Sequence, residues 1–145
     1  RVAVFGDPDH VLPLCRFLLE LDMRPVHVIT GTPGRAFEEN IRQLVGAAVP
    51  EVKVSASDDL LTLHQWMKAE PVDLLLGNTY GKYIARAEAN LPFVRFGFPV
   101  LDRTAHRYFP TVGYRGAMRL VAAMTDALLD RKDRECPEEF FELVQ

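Results

Sequence analysis

Cysteine is scarce in this sequence. The 145 residues include two, Cys15 and Cys136, which lie far apart. No Cys-x-x-Cys or Cys/His spacing indicates zinc or an iron–sulfur cluster. Cys15 falls within an apolar helical stripe and is predicted to be a small core residue. Reduced thiols are typical of cytosolic proteins, so we expect a cytoplasmic location.

Long hydrophobic runs and an excess of basic charge are also lacking. No apolar stretch approaches the roughly 20 residues that a membrane-spanning helix needs. The net charge of -3 argues against general nucleic-acid binding. Apolar residues make up 48% of the chain and charged residues 26%, which is typical of a soluble globular domain with its own core. Neither a membrane nor a nucleic acid is therefore expected as a partner.

The beginning of the chain is informative as well. Residue 1 is Arg, and an apolar strand follows at once with no leader or signal-peptide pattern. We therefore expect a domain that belongs to a longer polypeptide.

Short apolar runs alternate with segments of helical periodicity. Strands are predicted at residues 2–5, 26–29, 52–54, 74–76 and 93–96, and helices at residues 11–19, 36–47, from Ser57, 80–89 and 113–131. Consecutive parallel strands need crossover connections. The pattern therefore predicts a three-layer α/β domain of Rossmann-like or flavodoxin-like type, with helices on both faces of a five-stranded parallel sheet. Residues 1–131 are predicted to form this domain, and residues 132–145 a C-terminal tail.

The loops after the strands are the expected places for a ligand. None of them contains GxGxxG or GxxxxGK[ST], so a dinucleotide or P-loop site is poorly supported. Residues 77–82 read Gly-Asn-Thr-Tyr-Gly-Lys directly after a buried strand. The backbone amides there, with Asn78, Tyr80 and Lys82, form a candidate anion site. The alternative is that Asn78 and Thr79 only cap the next helix.

The segment 97–116 is unusually long, aromatic and basic for a loop. Its candidate contact residues are Arg103, His106, Arg107 and Arg115. A protein–protein interface is the preferred interpretation, because aromatic and arginine residues are enriched there. A small anionic ligand and internal salt bridging are the alternatives. His106 has no second His or Cys nearby, so it is predicted to be a surface or interface residue, and no catalytic or metal-binding residue is predicted.

The basic loop region and the acidic C-terminal region carry opposite charge. Residues 82–119 contain seven Lys/Arg and two acids, a net charge of +5, whereas residues 126–145 have a net charge of -4. Opposite charges suit either intramolecular docking or complementary subunit surfaces. Subunit surfaces are favoured, so residues 102–112 and the tail are expected to be partly exposed. Pro137 is predicted to begin a short helix that carries Phe140, Phe141, Leu143 and Val144.

Several short segments together resemble one family. They occupy residues 5–9, 16–21, 77–82, 97–99, 101–103, 113–117 and 141–144. In this order they resemble the C-terminal domain of the β chain of nitrogenase component I, in its molybdenum-iron and vanadium-iron types. The resemblance covers essentially the whole chain.

The resemblance implies a β subunit of three α/β domains in an α2β2 tetramer. Its partners would be the α chain, a second β chain and the ATP-hydrolysing iron protein, and the complex would reduce dinitrogen to ammonia. The parent complex would hold an 8Fe–7S P-cluster and an iron-molybdenum (or vanadium) cofactor. The β-chain ligands of the P-cluster come from the N-terminal domain. The α chain binds its cofactor through a His in the segment matching residues 95–102, where this sequence has Gly97, Phe98 and Pro99.

This domain is therefore expected to hold no cofactor and to act as a non-catalytic scaffold at subunit interfaces. Two alternatives within the family are the β-like subunit of the cofactor-assembly scaffold and a subunit of light-independent protochlorophyllide reductase. An alternative of another class is a nucleotide- or anion-binding module that uses Lys82 and the arginine-rich loop. The missing phosphate fingerprint counts against that module.

Overall fold

The computed structural model describes residues 1–137, apart from the side chain of Ala105. Five parallel strands form one sheet in the order β3-β2-β1-β4-β5. The strands are β1 (Val2–Phe5), β2 (Pro25–Thr30), β3 (Lys53–Ala56), β4 (Leu74–Gly77) and β5 (Phe93–Arg95). The predicted α/β fold with a five-stranded parallel sheet is confirmed.

Five α-helices connect the strands and follow the last one. They are α1 (Pro8–Glu20), α2 (Arg35–Val45), α3 (Leu60–Ala69), α4 (Gly81–Ala87) and α5 (Gly113–Glu135), and a short 3-10 helix spans Thr104–Arg107 within the long loop. Pro8 stands in the first turn of α1, where its missing N–H costs no hydrogen bond.

Several helix ends differ from the sequence prediction, among them the start of α3 and the end of α5. The third helix begins at Leu60 rather than Ser57, because Ser57 has φ 73° and Asp59 is the N-cap. The Asp59 carboxylate accepts from the backbone N–H groups of Leu61 and Thr62, both at 3.0 Å. The last helix continues beyond Arg131 to Glu135, and an Arg131–Glu135 ion pair of 2.9 Å spans its final turn. Residues 132–135 of the predicted tail are therefore helical, and the division into domain and tail stays a prediction.

The core lies on both faces of the sheet. Strands β1, β2 and β4 are buried along their whole lengths, as expected for parallel strands covered by helices on each side. Leu18 of α1, Ile41 of α2 and Leu63 of α3 are fully buried against them. Because all five strands are parallel, their C-terminal ends lie at one edge of the sheet, which we call the carboxyl edge. The loops that follow the strands, with the candidate site residues, begin at this edge.

Helix α5 runs back from that edge to the opposite one. It packs against β5, and Arg131 near its end lies 3.8 Å from the carboxylate of Asp73, which precedes β4. The C-terminal end of α5 thus lies at the edge where the strands begin. The short helix predicted from Pro137 and the apolar residues 140–144 fall outside the described residues. In the described part of the chain, no helix combines the length and apolar character that membrane crossing requires.

Candidate functional site

The loop between β4 and α4 holds the long loop in place. Asn78 Oδ1 accepts from the backbone N–H of Tyr80 at 3.1 Å, and Asn78 Nδ2 donates to the carbonyl of Phe98 at 3.2 Å. The N–H of Thr79 donates to the carbonyl of Pro99 at 3.0 Å. Both polar ends of the Asn78 amide are therefore used within the protein, which disfavours an anion site. The capping alternative is wrong as well, because the N-cap of α4 is Tyr80 and no side chain caps this helix.

A second set of contacts joins Arg95 at the end of β5 to Asp102 and Thr79. The Arg95 guanidinium donates to both oxygens of Asp102, at 2.9 and 2.7 Å, while its face lies 4.8 Å from the centre of the Phe93 ring. The Thr79 hydroxyl lies 3.1 Å from Asp102 Oδ1 and accepts from the N–H of Leu101 at 2.7 Å. The hydrogen bonds from Arg95, with that from Thr79 next, hold the pKa of Asp102 well below its usual range. We refer to Thr79, Arg95 and Asp102 as the brace.

The brace was missed by the sequence analysis, which counted Arg95 and Asp102 only as charges. The one available signal was their position, because Arg95 lies near the end of the predicted strand 93–96 and Asp102 lies in the loop that follows it. A charge pattern does not identify partners, because the pairing depends on how the loop folds back over β4.

The crevice at the switch point of the sheet is acidic. The sheet order reverses between β1 and β4, where ligands of such folds commonly bind. A cavity of about 400 Å³ lies there, lined by Asp7, Asp58 and Asp59 together with Asn78 and Tyr80. The pKa of Asp59 is lowered, chiefly by its hydrogen bond from the Thr62 N–H, so that carboxylate is ionised. Three carboxylates at this position disfavour a phosphate group.

A groove of about 360 Å³ separates β5 from α5. One wall is the continuous stretch of residues 93–98, and the other is the face of α5 that includes Gly116, Leu120 and Asp130. Arg103 and His106 lie at the end of the groove nearest the long loop. The His106 ring meets the edge of Phe98, with 6.0 Å between ring centres. Burial, and secondly the charge of Arg119, lower the pKa of His106 and favour its neutral form. We refer to this cavity as the β5–α5 groove.

A third feature is an exposed surface on the loop and the first turns of α5. Tyr114 is 93% exposed and Met118 is 74% exposed, and they lie four residues apart on one helix face. We define the loop surface by five exposed apolar residues and two exposed arginines: Leu101, Tyr108, Val112, Tyr114, Met118, Arg107 and Arg115. Within residues 1–137, neither arginine forms an ion pair. By contrast, Arg119 lies over the Phe109 ring at 5.1 Å.

The seven predicted contact residues do not converge on one site. Asn78 and Tyr80 line the acidic crevice, whereas Arg103 and His106 line the β5–α5 groove. The ammonium of Lys82 lies 5.2 Å from the centre of the Tyr83 ring and lines neither cavity. Arg107 and Arg115 are exposed on the loop surface.

The residues present do not fit an iron–sulfur cluster or a cofactor metal. Cys15 is buried in the core, and burial raises its thiol pKa to about 12, which disfavours the thiolate that binds metals. Cys136 lies beyond the far end of α5. Gly97, Phe98 and Pro99 offer no ligating side chain, and among the residues with described positions no group of three His, Cys, Asp or Glu side chains has an arrangement that could hold a metal ion.

Comparisons with known proteins agree with the sequence resemblance. Residues 1–129 match the family model described as nitrogenase component 1 type oxidoreductase. The chain is 51% identical to the nitrogenase molybdenum-iron protein beta chain of Clostridium pasteurianum over 146 aligned residues, covering 100% of this chain and 32% of that protein. It is 42% identical to the corresponding chain of Frankia alni, covering 99% of this chain and 27% of that one.

A solved structure of nitrogenase Cp1 at pH 6.5 superposes with a TM-score of 0.93 at 51% identity, covering 99% of this chain and 31% of that chain. The chain thus spans about a third of the length of the relatives that it matches. The family model and both relatives cover most or all of its residues, and so this chain belongs to the nitrogenase component 1 type oxidoreductase family.

Proposed function

We propose that this chain is the C-terminal domain of a nitrogenase component 1 β subunit and that it acts as a non-catalytic scaffold. The parent complex would reduce dinitrogen to ammonia in the cytoplasm, with electrons supplied by the iron protein. It would carry the P-cluster and an iron-molybdenum or vanadium cofactor on other domains and on the α chain. The names of the relatives support this assignment, and the burial of Cys15, which raises its thiol pKa to about 12, disfavours cluster binding at that residue.

The loop surface carries the proposal that this domain contacts another subunit. Exposed apolar area is unfavourable in water at about 25 cal/mol per Å², so five exposed apolar side chains on one loop and helix favour a covered state. Tyrosine and arginine are also the residues that contribute most often to binding at interfaces. The partner that we propose first is the α chain, and the second β chain is the next to test.

The brace supports this role because it fixes the loop before a partner arrives. Asp102 and Thr79 connect the start of the loop to β4 and β5 through four hydrogen bonds. A loop held in its bound conformation loses less conformational entropy on association, so binding is stronger. The brace would thus act by positioning the loop and would contact no substrate.

The test is assembly of the full-length β polypeptide with its α chain after the double substitution Tyr114→Ser, Met118→Ser. We expect a smaller yield of tetramer on size exclusion with light scattering, because two exposed apolar contacts are removed. The matched control is Leu61→Ser on α3, since Leu61 is 63% exposed and lies outside the loop surface. Equal tetramer yields from the unsubstituted protein, the double variant and the Leu61→Ser control would contradict the assignment.

The alternatives make different predictions. A nucleotide- or anion-binding module should bind nucleotides or phosphate, and titration of the chain with both, followed by calorimetry, measures this directly. The acidic crevice argues against it. The β-like subunit of the assembly scaffold, or of light-independent protochlorophyllide reductase, would use the same surface with a different α-like partner. Pairwise co-purification with each type of partner separates these.

A further inference from the structure

We propose that the β5–α5 groove binds an extended segment of a partner polypeptide, which adds to the sheet as a strand beside β5. The segment would carry a basic side chain at one end, an acidic side chain at the other, and apolar side chains between them. The groove adjoins the loop surface at Val112, but the inference does not depend on the subunit role proposed for that surface.

The two outer edges of the sheet differ in how their backbone is used. At the edge of β3, the N–H of Ala56 donates to the Glu38 carboxylate at 3.0 Å, and an ion pair of 3.0 Å with Arg42 holds that carboxylate. A charged side chain placed on an edge strand disfavours the addition of another strand. Within residues 1–137, no side chain accepts from a backbone amide of β5 in this way. In the described part of the chain, the edge of β5 is therefore the better suited of the two to take a strand.

The backbone of β5 faces the groove. Strand β5 pairs with β4 through bonds that include Phe96 N–H to the Gly77 carbonyl at 2.8 Å. Because alternate amides of a strand point to opposite sides, the N–H of Arg95 points away from β4. Six consecutive residues, 93–98, line the groove, whereas one face of a strand would contribute only every second residue. This wall is therefore a strand edge, the surface on which extended peptides bind by adding a strand.

The opposite wall fits the side chains of an added strand. On α5 it consists of small and apolar residues at helical spacing: Gly116, Leu120, Ala123 and Ala127. The last three are only partly buried, so apolar area remains for a ligand to cover. From Gly116 to Asp130 this wall is about 21 Å long at 1.5 Å per residue. A strand of about seven residues spans roughly 20 Å, and alternate side chains of that strand would contact α5.

Charges of opposite sign lie at the two ends of the groove. Arg103 and Arg119 lie at the end near the long loop, whereas Asp126 and Asp130 line the opposite end. Among the described residues, the Arg119 guanidinium contacts the ring and the carbonyl of Phe109 rather than a carboxylate. A segment whose acidic end meets the arginines and whose basic end meets the aspartates is complementary at both ends, and complementarity of this kind selects a partner and fixes its register.

Two capped peptides test the proposal on the 145-residue chain. One is Lys-Thr-Val-Thr-Val-Thr-Glu and the other has the reverse order, Glu-Thr-Val-Thr-Val-Thr-Lys, with both ends of each acetylated or amidated. Their compositions are equal, and one of them presents its charges in the matching order whichever way the added strand runs. We expect one peptide to bind at least about threefold more tightly than the other at low ionic strength, and the preference to weaken at high ionic strength. Equal affinities, or no binding at millimolar concentration, would overturn the proposal.

Amide exchange followed by NMR locates the tighter peptide. Near saturation we expect the Arg95 amide to exchange at least roughly tenfold more slowly, because it gains a hydrogen-bond partner. The amides of Val94 and Phe96 are matched internal controls, since they point towards β4 and should change little. Chemical-shift changes confined to Tyr114 and Met118 would instead place the peptide on the loop surface and contradict the proposal. So would protection of Arg95 in the free chain that disappears on dilution, because a second copy would then supply the strand.

The double substitution Asp126→Asn, Asp130→Asn tests the charge at the far end of the groove. We expect the ratio of the two peptide affinities to fall towards one, because one of the two charge matches is lost. The matched control is Glu39→Gln, Asp133→Asn, which removes two exposed carboxylates that do not line the groove and should keep the preference. A preference that survives unchanged in the first variant, or that is lost equally in both, would refute the proposed charge complementarity.

Discussion

Gly116→Ala is a sensitive test of how the long loop packs on α5. Gly116 lies in the first turns of α5, where alanine normally stabilises a helix by about 1 kcal/mol relative to glycine. Here an added Cβ would lie 2.4 Å from the carbonyl carbon of Thr111 and 2.8 Å from its oxygen. Ordinary carbon–carbon contacts are about 3.5–4.0 Å, so the backbone of the loop must move by roughly 1 Å.

The expected net effect is a loss of stability. The added Cβ meets backbone atoms, so we expect a cost of about 2–3 kcal/mol, in the upper half of the range of about 1–3 kcal/mol for overpacking, against a gain of about 1 kcal/mol in helix propensity. We expect a net destabilisation of about 1–2 kcal/mol and a fall in Tm of roughly 3–8 °C for a chain of this length. Thermal and urea unfolding, followed by circular dichroism, measure both values.

Gly34→Ala is the matched control. An added Cβ at Gly34 meets no atom within 4 Å, and its φ of 168° is extended backbone that alanine adopts freely. We expect it to leave the stability unchanged or to raise it by about 0.4–1 kcal/mol. If Gly116→Ala stabilised the chain as much as Gly34→Ala, the packing of Thr111 on α5 described above would be wrong.

Four further predictions concern the chain as a whole and its titratable groups. The 145-residue chain should unfold in one cooperative thermal transition, because its sheet is covered on both faces, and a gradual transition would mean that its core needs neighbouring domains. The pKa of Asp102 is lowered in the folded chain, so its contribution to stability is present above the unfolded pKa of about 3.9 and is lost as the pH falls through the folded pKa. Asp102→Asn should therefore weaken the dependence of stability on pH below about pH 4. Urea titrations at several pH values measure this dependence. A thiol reagent should modify Cys136 in the folded chain and reach Cys15 only on unfolding, as read by mass spectrometry after proteolysis, because burial raises the Cys15 pKa to about 12. After anaerobic reconstitution with iron and sulfide, metal analysis should find no stoichiometric iron, and iron that disappears on Cys15→Ser or Cys136→Ser would count against the scaffold role.

Much of the fold could be predicted because its signals are local. The apolar runs at residues 2–5 and 74–76 indicate strands buried on both faces, and the structure places β1 and β4 there. The helix boundaries were less accurate. The start of α3 was predicted three residues early, since the positive φ of Ser57 depends on how the chain leaves β3. The end of α5 was predicted four residues early, because the Arg131–Glu135 pair was not anticipated.

The candidate site was predicted less completely. The sequence singled out the long basic and aromatic loop, and the exposure of Tyr108 and Tyr114 agrees with the preferred interface interpretation, which stays a proposal. It also offered an anion site at residues 77–82. In the structure both polar atoms of the Asn78 side chain are hydrogen-bonded to the backbone, and Lys82 lies against Tyr83 and lines neither cavity.

The sequence by itself determined the alternation of strands and helices, the family, and the lack of a cluster-ligand pattern. These follow from periodicity and residue type, which are properties of neighbouring residues along the chain. Only the tertiary structure decided that Arg95, Asp102 and Thr79 form one brace, and that three carboxylates meet at the switch point. It also decided that, within residues 1–137, β5 pairs with β4 alone and that its other edge faces α5. The physical reason is that such contacts join residues far apart in sequence, and their distances depend on the order of the strands and the return path of the last helix.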